Sequence, residues 1–73
     1  MEEEYDLAIQ DFTIAIRAGS HYIEPYSNRA NTYIVTGQIA LAKADLLKTI
    51  ELSEDPSLTQ SAEERLNSLI DIE

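Results

Sequence analysis

The 73-residue sequence predicts an all-α domain of four helices arranged as antiparallel helix-turn-helix repeats. Three observations carry that reading. Apolar residues recur at the i, i+3, i+4, i+7 spacing that gathers side chains on one helical face. The two glycines and two prolines, at 19, 25, 37 and 56, fall between these apolar runs or at their starts. No alternating stretch of comparable length competes as a strand.

The first helix is predicted over residues 3–18, where Tyr5, Ala8, Ile9, Phe12, Ala15 and Ile16 form one stripe and Gly19 offers a left-handed stop. The second runs over 24–36, with Pro25 in the first turn, where a missing N–H would have been unpaired in any case. Its apolar side is Tyr26, Ala30, Tyr33 and Ile34. Gly37 permits a tight reversal into a third helix over 39–52, striped by Ile39, Ala42, Leu46, Thr49 and Ile50. In "SEDPSL", Asp55 is placed to cap a fourth helix over 56–71 that begins with Pro56 and carries Leu58, Ala62, Leu66, Leu69 and Ile70.

Length and composition limit what such a chain can do. A domain of this size buries only ~60% of the surface its unfolded form exposes, so it needs regular packing or a partner. There is no cysteine, which excludes both a disulfide framework and a thiolate metal site. The opening "MEEEYD" is acidic where a secretory signal is basic and then apolar, and no run approaches the ~20 apolar residues of a membrane span. The expected setting is the cytoplasm. Net charge is −9 and uneven: −5 over residues 1–24, +2 over 25–50 and −6 over 51–73. With only five Lys and Arg the chain is a poor phosphate-neutralising surface, so nucleic acid is not expected as a partner, and anionic membranes are disfavoured by the same repulsion.

The helices repeat. A shift of 34 residues carries Ala8 to Ala42, Asp11 to Asp45, Phe12 to Leu46, Ala15 to Thr49 and Ile16 to Ile50. A shift of 36 carries Tyr26 to Ala62, Arg29 to Arg65, Ala30 to Leu66, Asn31 to Asn67, Tyr33 to Leu69 and Ile34 to Ile70. The two extra residues fall in the "SEDP" turn, where a surface connection absorbs an insertion at little thermodynamic cost. Small residues at 8, 30 and 42 suit close helix crossings, with Phe12, Tyr26, Tyr33 and Leu46 filling the adjacent space. Tyrosine at 26 and 33 suggests rings buried at the body and wet at the hydroxyl.

A period of 34 residues in helix-turn-helix units resembles the tetratricopeptide repeat. The residues that carry the resemblance are Tyr26-x2-Arg29-Ala30-x2-Tyr33, then Gly37, then Ala42-x3-Leu46, echoed by Tyr5 and Ala8-x3-Phe12. The chain departs from the pattern at Arg29, where the family has leucine, at Thr49, where alanine is usual, and at Ser20 and Glu54, where the proline is expected. On this resemblance 3–18 is the trailing helix of a partial repeat, 24–52 one complete repeat, and 56–71 either a capping helix or the leading helix of a further repeat. The whole of 1–73 is then one α-solenoid fragment.

The resemblance implies a non-enzymatic module that holds a peptide or protein segment in the concave groove lined by the leading helices. The implied lining is Tyr22, Glu24, Ser27, Asn28, Asn31 and Val35, continued by Gln60, Glu63, Glu64 and Asn67. Asparagine suits the task because one amide both donates to and accepts from a peptide backbone. Asn28 and Asn31 are equally what an ordinary solvated helix face contains. One branch of the family grips a chaperone's C-terminal carboxylate with cations on neighbouring leading helices, but this chain has Ser27, Gln60 and Glu64 there. The acidic pair Glu63 and Glu64 favours a basic or neutral peptide instead.

Catalytic and metal readings find no support in the spacing. His21 follows Ser20 directly, but adjacency in sequence does not make a nucleophile–base pair, and no elbow motif surrounds it. Glu2, Glu3, Glu4 and Asp6 read as a solvated acidic start favourable to the helix dipole, and Glu63–Glu64 lacks the loop of a calcium site. No cofactor is expected. The alternative to a peptide-binding scaffold is a homo-oligomerising helical module, because the first helix should expose Tyr5, Ile9 or Phe12 toward a leading helix that this sequence does not contain.

Overall fold

The computed structural model describes residues 2–19 and 23–72, with side chains placed for 4–19 and 23–70. Ser20, His21 and Tyr22 lie outside the described residues, and with them the expectations for His21 and for Tyr22 as a groove residue; the side chains of Glu2 and Glu3 do as well. Among the described residues there are four helices and no strand: α1 (Glu2–Ala18), α2 (Ile23–Val35), α3 (Ile39–Leu52) and α4 (Pro56–Ile72). Every boundary falls within one residue of its expected position. Each helix packs on the next, most extensively α2 on α3, in a slab of 32 × 30 × 15 Å. The short connections at 36–38 and 53–55 leave antiparallel neighbours as the geometry available.

The reversal at Gly37 ends α2 in a Schellman motif. Gln38 N–H donates to Tyr33 C=O at 2.8 Å and Gly37 N–H to Ile34 C=O at 3.1 Å, with Gly37 at φ 78°. Thr36 is thereby taken out of the helix, which is why α2 stops at Val35. Gln38 C=O accepts from Ala42 N–H at 3.0 Å, so α3 begins one residue beyond the motif. At the other connection, the Asp55 carboxylate accepts from Ser57 N–H at 2.9 Å and the Asp55 carbonyl from Thr59 N–H at 3.0 Å. Asp55 is thus the expected N-cap, and Pro56 behind it begins the helix with no donor to leave unpaired.

The core lies among α2, α3 and α4. Ala30 and Ala42 are fully buried, with Leu46, Ala62 and Leu69 beside them and Tyr33, Ile34, Ile39, Ile50 and Leu66 packed around. Two alanines at the α2–α3 crossing let the helix backbones approach, and Leu46 fills the space next to them. By contrast α1 contributes no fully buried side chain among its described residues; Ala8, Ile9, Phe12, Ala15 and Ile16 are half-buried. Of the face expected to be exposed on α1, Tyr5 is exposed while Ile9 and Phe12 are half-covered by α2. The large apolar residues most exposed on α1 are Leu7 (59%) and Ile14 (65%).

Candidate functional site

Arg29 fixes α2 between its neighbours. Its Nε donates to Asp45 Oδ2 at 2.7 Å and its Nη2 to Asp45 Oδ1 at 2.8 Å, a two-pronged pair that ties α2 to α3. Its Nη1 donates to Thr13 Oγ1 at 3.0 Å on α1, and Thr13 Oγ1 in turn donates to Ile9 C=O at 2.7 Å. The guanidinium carbon lies 5.9 Å from the Tyr26 ring centroid and 5.7 Å from that of Tyr33, one turn to either side on α2. One side chain therefore joins three helices and two rings. Thr49, fully buried, donates to Asp45 C=O at 2.9 Å, so its hydroxyl is satisfied within the core.

Two of the departures from the repeat pattern, Arg29 and Thr49, thus form one polar unit around Asp45. Hydrogen bonding to Asp45 raises the Arg29 pKa above its ordinary value, against a smaller lowering by burial. A folded pKa above the unfolded one means that this contribution to stability is complete below the unfolded value and is lost only as pH climbs through the raised, strongly alkaline one.

With α2 held in this way, one side of it faces α4 across an open groove of about 500 Å³ lined by Asn31, Ile34, Val35, Arg65, Ser68 and Leu69. Next to it, toward the N-terminal ends of α2 and α4 and reaching α3 at Leu46, a smaller recess of about 120 Å³ is lined by Ser27, Asn31, Leu46, Leu58, Ser61, Ala62 and Arg65. The large groove is chiefly apolar. Its polar groups sit together, Arg65 Nη1 donating to Asn31 Oδ1 across the gap. An apolar trough with a few convergent polar groups is the usual form of a site that takes a ligand's side chains and orients its backbone.

The expected lining residues divide. Asn31 and Val35 line the groove, and Ser27 and Asn31 the recess. Glu24, Asn28, Gln60, Glu63, Glu64 and Asn67 are exposed and line neither; Gln60 donates to Glu64 Oε1 at 3.2 Å on the surface of α4. Positions 60, 63, 64 and 67 share one face of α4, while the groove uses 65, 68 and 69 and the recess 58, 61, 62 and 65, on the side that carries Ala62 and Leu69 into the core. The 36-residue shift assigns the same positions to α2 and α4. A groove between two helices, however, uses the forward side of one and the rear side of the other. Ser61, Arg65, Ser68 and Leu69 were missed for that reason, and helical spacing from the buried Ala62 and Leu69 was the available signal; Ile34, on α2, reaches the groove from that helix's apolar stripe.

Among the described residues no three His, Cys, Asp or Glu side chains converge into a metal site, and no helix is long and apolar enough to cross a membrane. The chain matches no protein-family model, no curated protein and no solved structure.

Proposed function

We propose that this chain is a cytoplasmic, non-enzymatic protein–protein interaction module, built on the tetratricopeptide plan its sequence resembles, that holds an extended peptide or short protein segment between α2 and α4. The observation that carries this reading is the α2–α4 groove itself, with Ile34, Val35 and Leu69 as an apolar floor and Asn31 and Arg65 as its polar pair. A peptide seated there inserts apolar side chains between the helices. Its backbone takes up the hydrogen-bonding capacity of the Asn31 amide and the free N–H groups of Arg65.

Charge selects among peptides before contact is made. The chain carries −9 overall, and exposed Glu24, Glu63 and Glu64 stand on the two helices that flank the groove. That field draws neutral or basic segments toward the site and repels acidic ones. Binding to an array of short peptides that varies charge at fixed apolar content tests this. Neutral and Lys/Arg-containing peptides should bind, and Val35→Ser, which removes an apolar contact without adding charge, should weaken their binding without unfolding the chain, since Val35 is exposed. Preference for acidic peptides, or binding that ignores Val35→Ser, contradicts the reading.

A further inference from the structure

We infer that the exposed side of α4, from Arg65 at the edge of the α2–α4 groove to Ile70, is complementary to α1, and that a second copy of this chain docks its α1 onto α4 of the first, so that Asp11 pairs with Arg65 as Asp45 pairs with Arg29. The internal repeat places the groups. Shifting by 34 carries Asp11 onto Asp45, and shifting by 36 carries Arg29 onto Arg65. Within one chain α2 and α3 form a complete leading–trailing pair. Helix α4 repeats the sequence of α2, and α1 that of α3, so α4 of one copy against α1 of another rebuilds that pair.

Both halves of the predicted ion pair are present and unmatched. Asp11 is exposed and makes no ion pair or hydrogen bond among the described residues, whereas its counterpart Asp45 is buried and doubly bonded. Arg65 is exposed and bonds only the neutral Asn31, with no carboxylate partner among the described residues. Around each charge the surface is apolar where a solvated helix would be polar. On α1, Tyr5 is 38% exposed, although its counterpart Ile39 is packed against the core. On α4, Ile70 is 54% exposed, although its counterpart Ile34 is packed against the core beside Ile39. Tyr5 stands where Ile39 does, and in the docked pair it covers Ile70.

The crossing also has room. Ala30 and Ala42 meet in the complete pair, and their counterparts are Leu66 and Ala8, which keeps one small residue at the point of closest approach. On docking, Arg65 exchanges its bond to Asn31 for the two oxygens of Asp11. A contact between unlike surfaces is heterologous, so each copy added presents a fresh α4 and the assembly grows head to tail.

Sedimentation equilibrium of the 73-residue chain over a concentration series reads this out, with circular dichroism confirming that each variant folds. Wild-type chain should show a mass that rises with concentration, with weak association in the range of about 10 µM to about 1 mM that an interface at the small end of the size range supports. Asp11→Arg and Arg65→Glu should each weaken association at least about tenfold, because each sets like charges opposite one another. Mixing the two variants should restore it, since Arg at 11 then meets Glu at 65. A monomer at every concentration overturns the inference, as does a closed dimer that neither variant weakens. Loss in both variants without recovery on mixing also overturns it, because residues 11 and 65 would then act separately and not as a pair.

Discussion

Replacing Arg29 with the leucine that the repeat pattern favours should destabilise the protein. If packing alone governed this position, leucine would be neutral. The structure instead has Asp45 depending on Arg29 for both carboxylate oxygens, at 2.7 and 2.8 Å, with the Asp45 side chain only 6% exposed. Removing one partner of a buried pair costs about 3–5 kcal/mol, because the other charge is left without compensation. Arg29 is itself 18% exposed, so some water reaches the site once it is truncated, and the lower end, about 3 kcal/mol, is expected. A domain of this length has roughly 4–11 kcal/mol of total stability, so the change removes a large part of it.

Urea unfolding followed by far-UV circular dichroism measures the loss. The second arm is the double variant Arg29→Leu with Asp45→Leu, which removes the stranded charge and should regain at least half of what the single change lost. A single-variant cost under about 1 kcal/mol, or strictly additive costs in the double variant, would refute the account of Arg29 as Asp45's obligatory partner.

Three further outcomes follow from the packing and the turns. Ala42→Leu should cost about 1–3 kcal/mol in the same urea assay, because Ala42 is fully buried at the α2–α3 crossing and the extra atoms must push the helices apart. Gly37→Ala should cost about 1 kcal/mol, all of it backbone strain at φ 78°, since an added methyl would meet no atom within 4 Å; Gly37→Asn should cost less, asparagine being the better tolerated at positive φ. Asp55→Ala should lower stability by about 1 kcal/mol by removing the acceptor of Ser57 N–H, a loss read as a drop in thermal midpoint.

The fold was legible because its signals are local. The stripes at Ala42, Leu46 and Thr49 and at Ala62, Leu66 and Leu69, the Gly37 reversal and the Asp55–Pro56 start each act within a turn or two of chain. Together they set all four helices to within one residue. The polar unit of Arg29, Asp45, Thr13 and Thr49 was not legible. A pattern based on size class registers Arg29 and Thr49 as departures, and only the facing of three helices turns them into partners. The groove was half legible for a related reason. Spacing along α2 selects Ser27, Asn31 and Val35, but which side of α4 meets them depends on how α4 is seated by Ala62 and Leu69 on the core. Arg65, the charged member of the lining, was visible beforehand only as an echo of Arg29.

The most direct test of the groove's role is amide chemical-shift mapping of the isotopically labelled chain, titrated with a neutral or Lys-containing array peptide. Shifts concentrated at Asn31, Ile34, Val35, Arg65, Ser68 and Leu69, with the exposed face of Gln60, Glu63, Glu64 and Asn67 largely unmoved, are the predicted result. Shifts centred on that exposed face of α4, or on α1, with the groove unmoved, would contradict it.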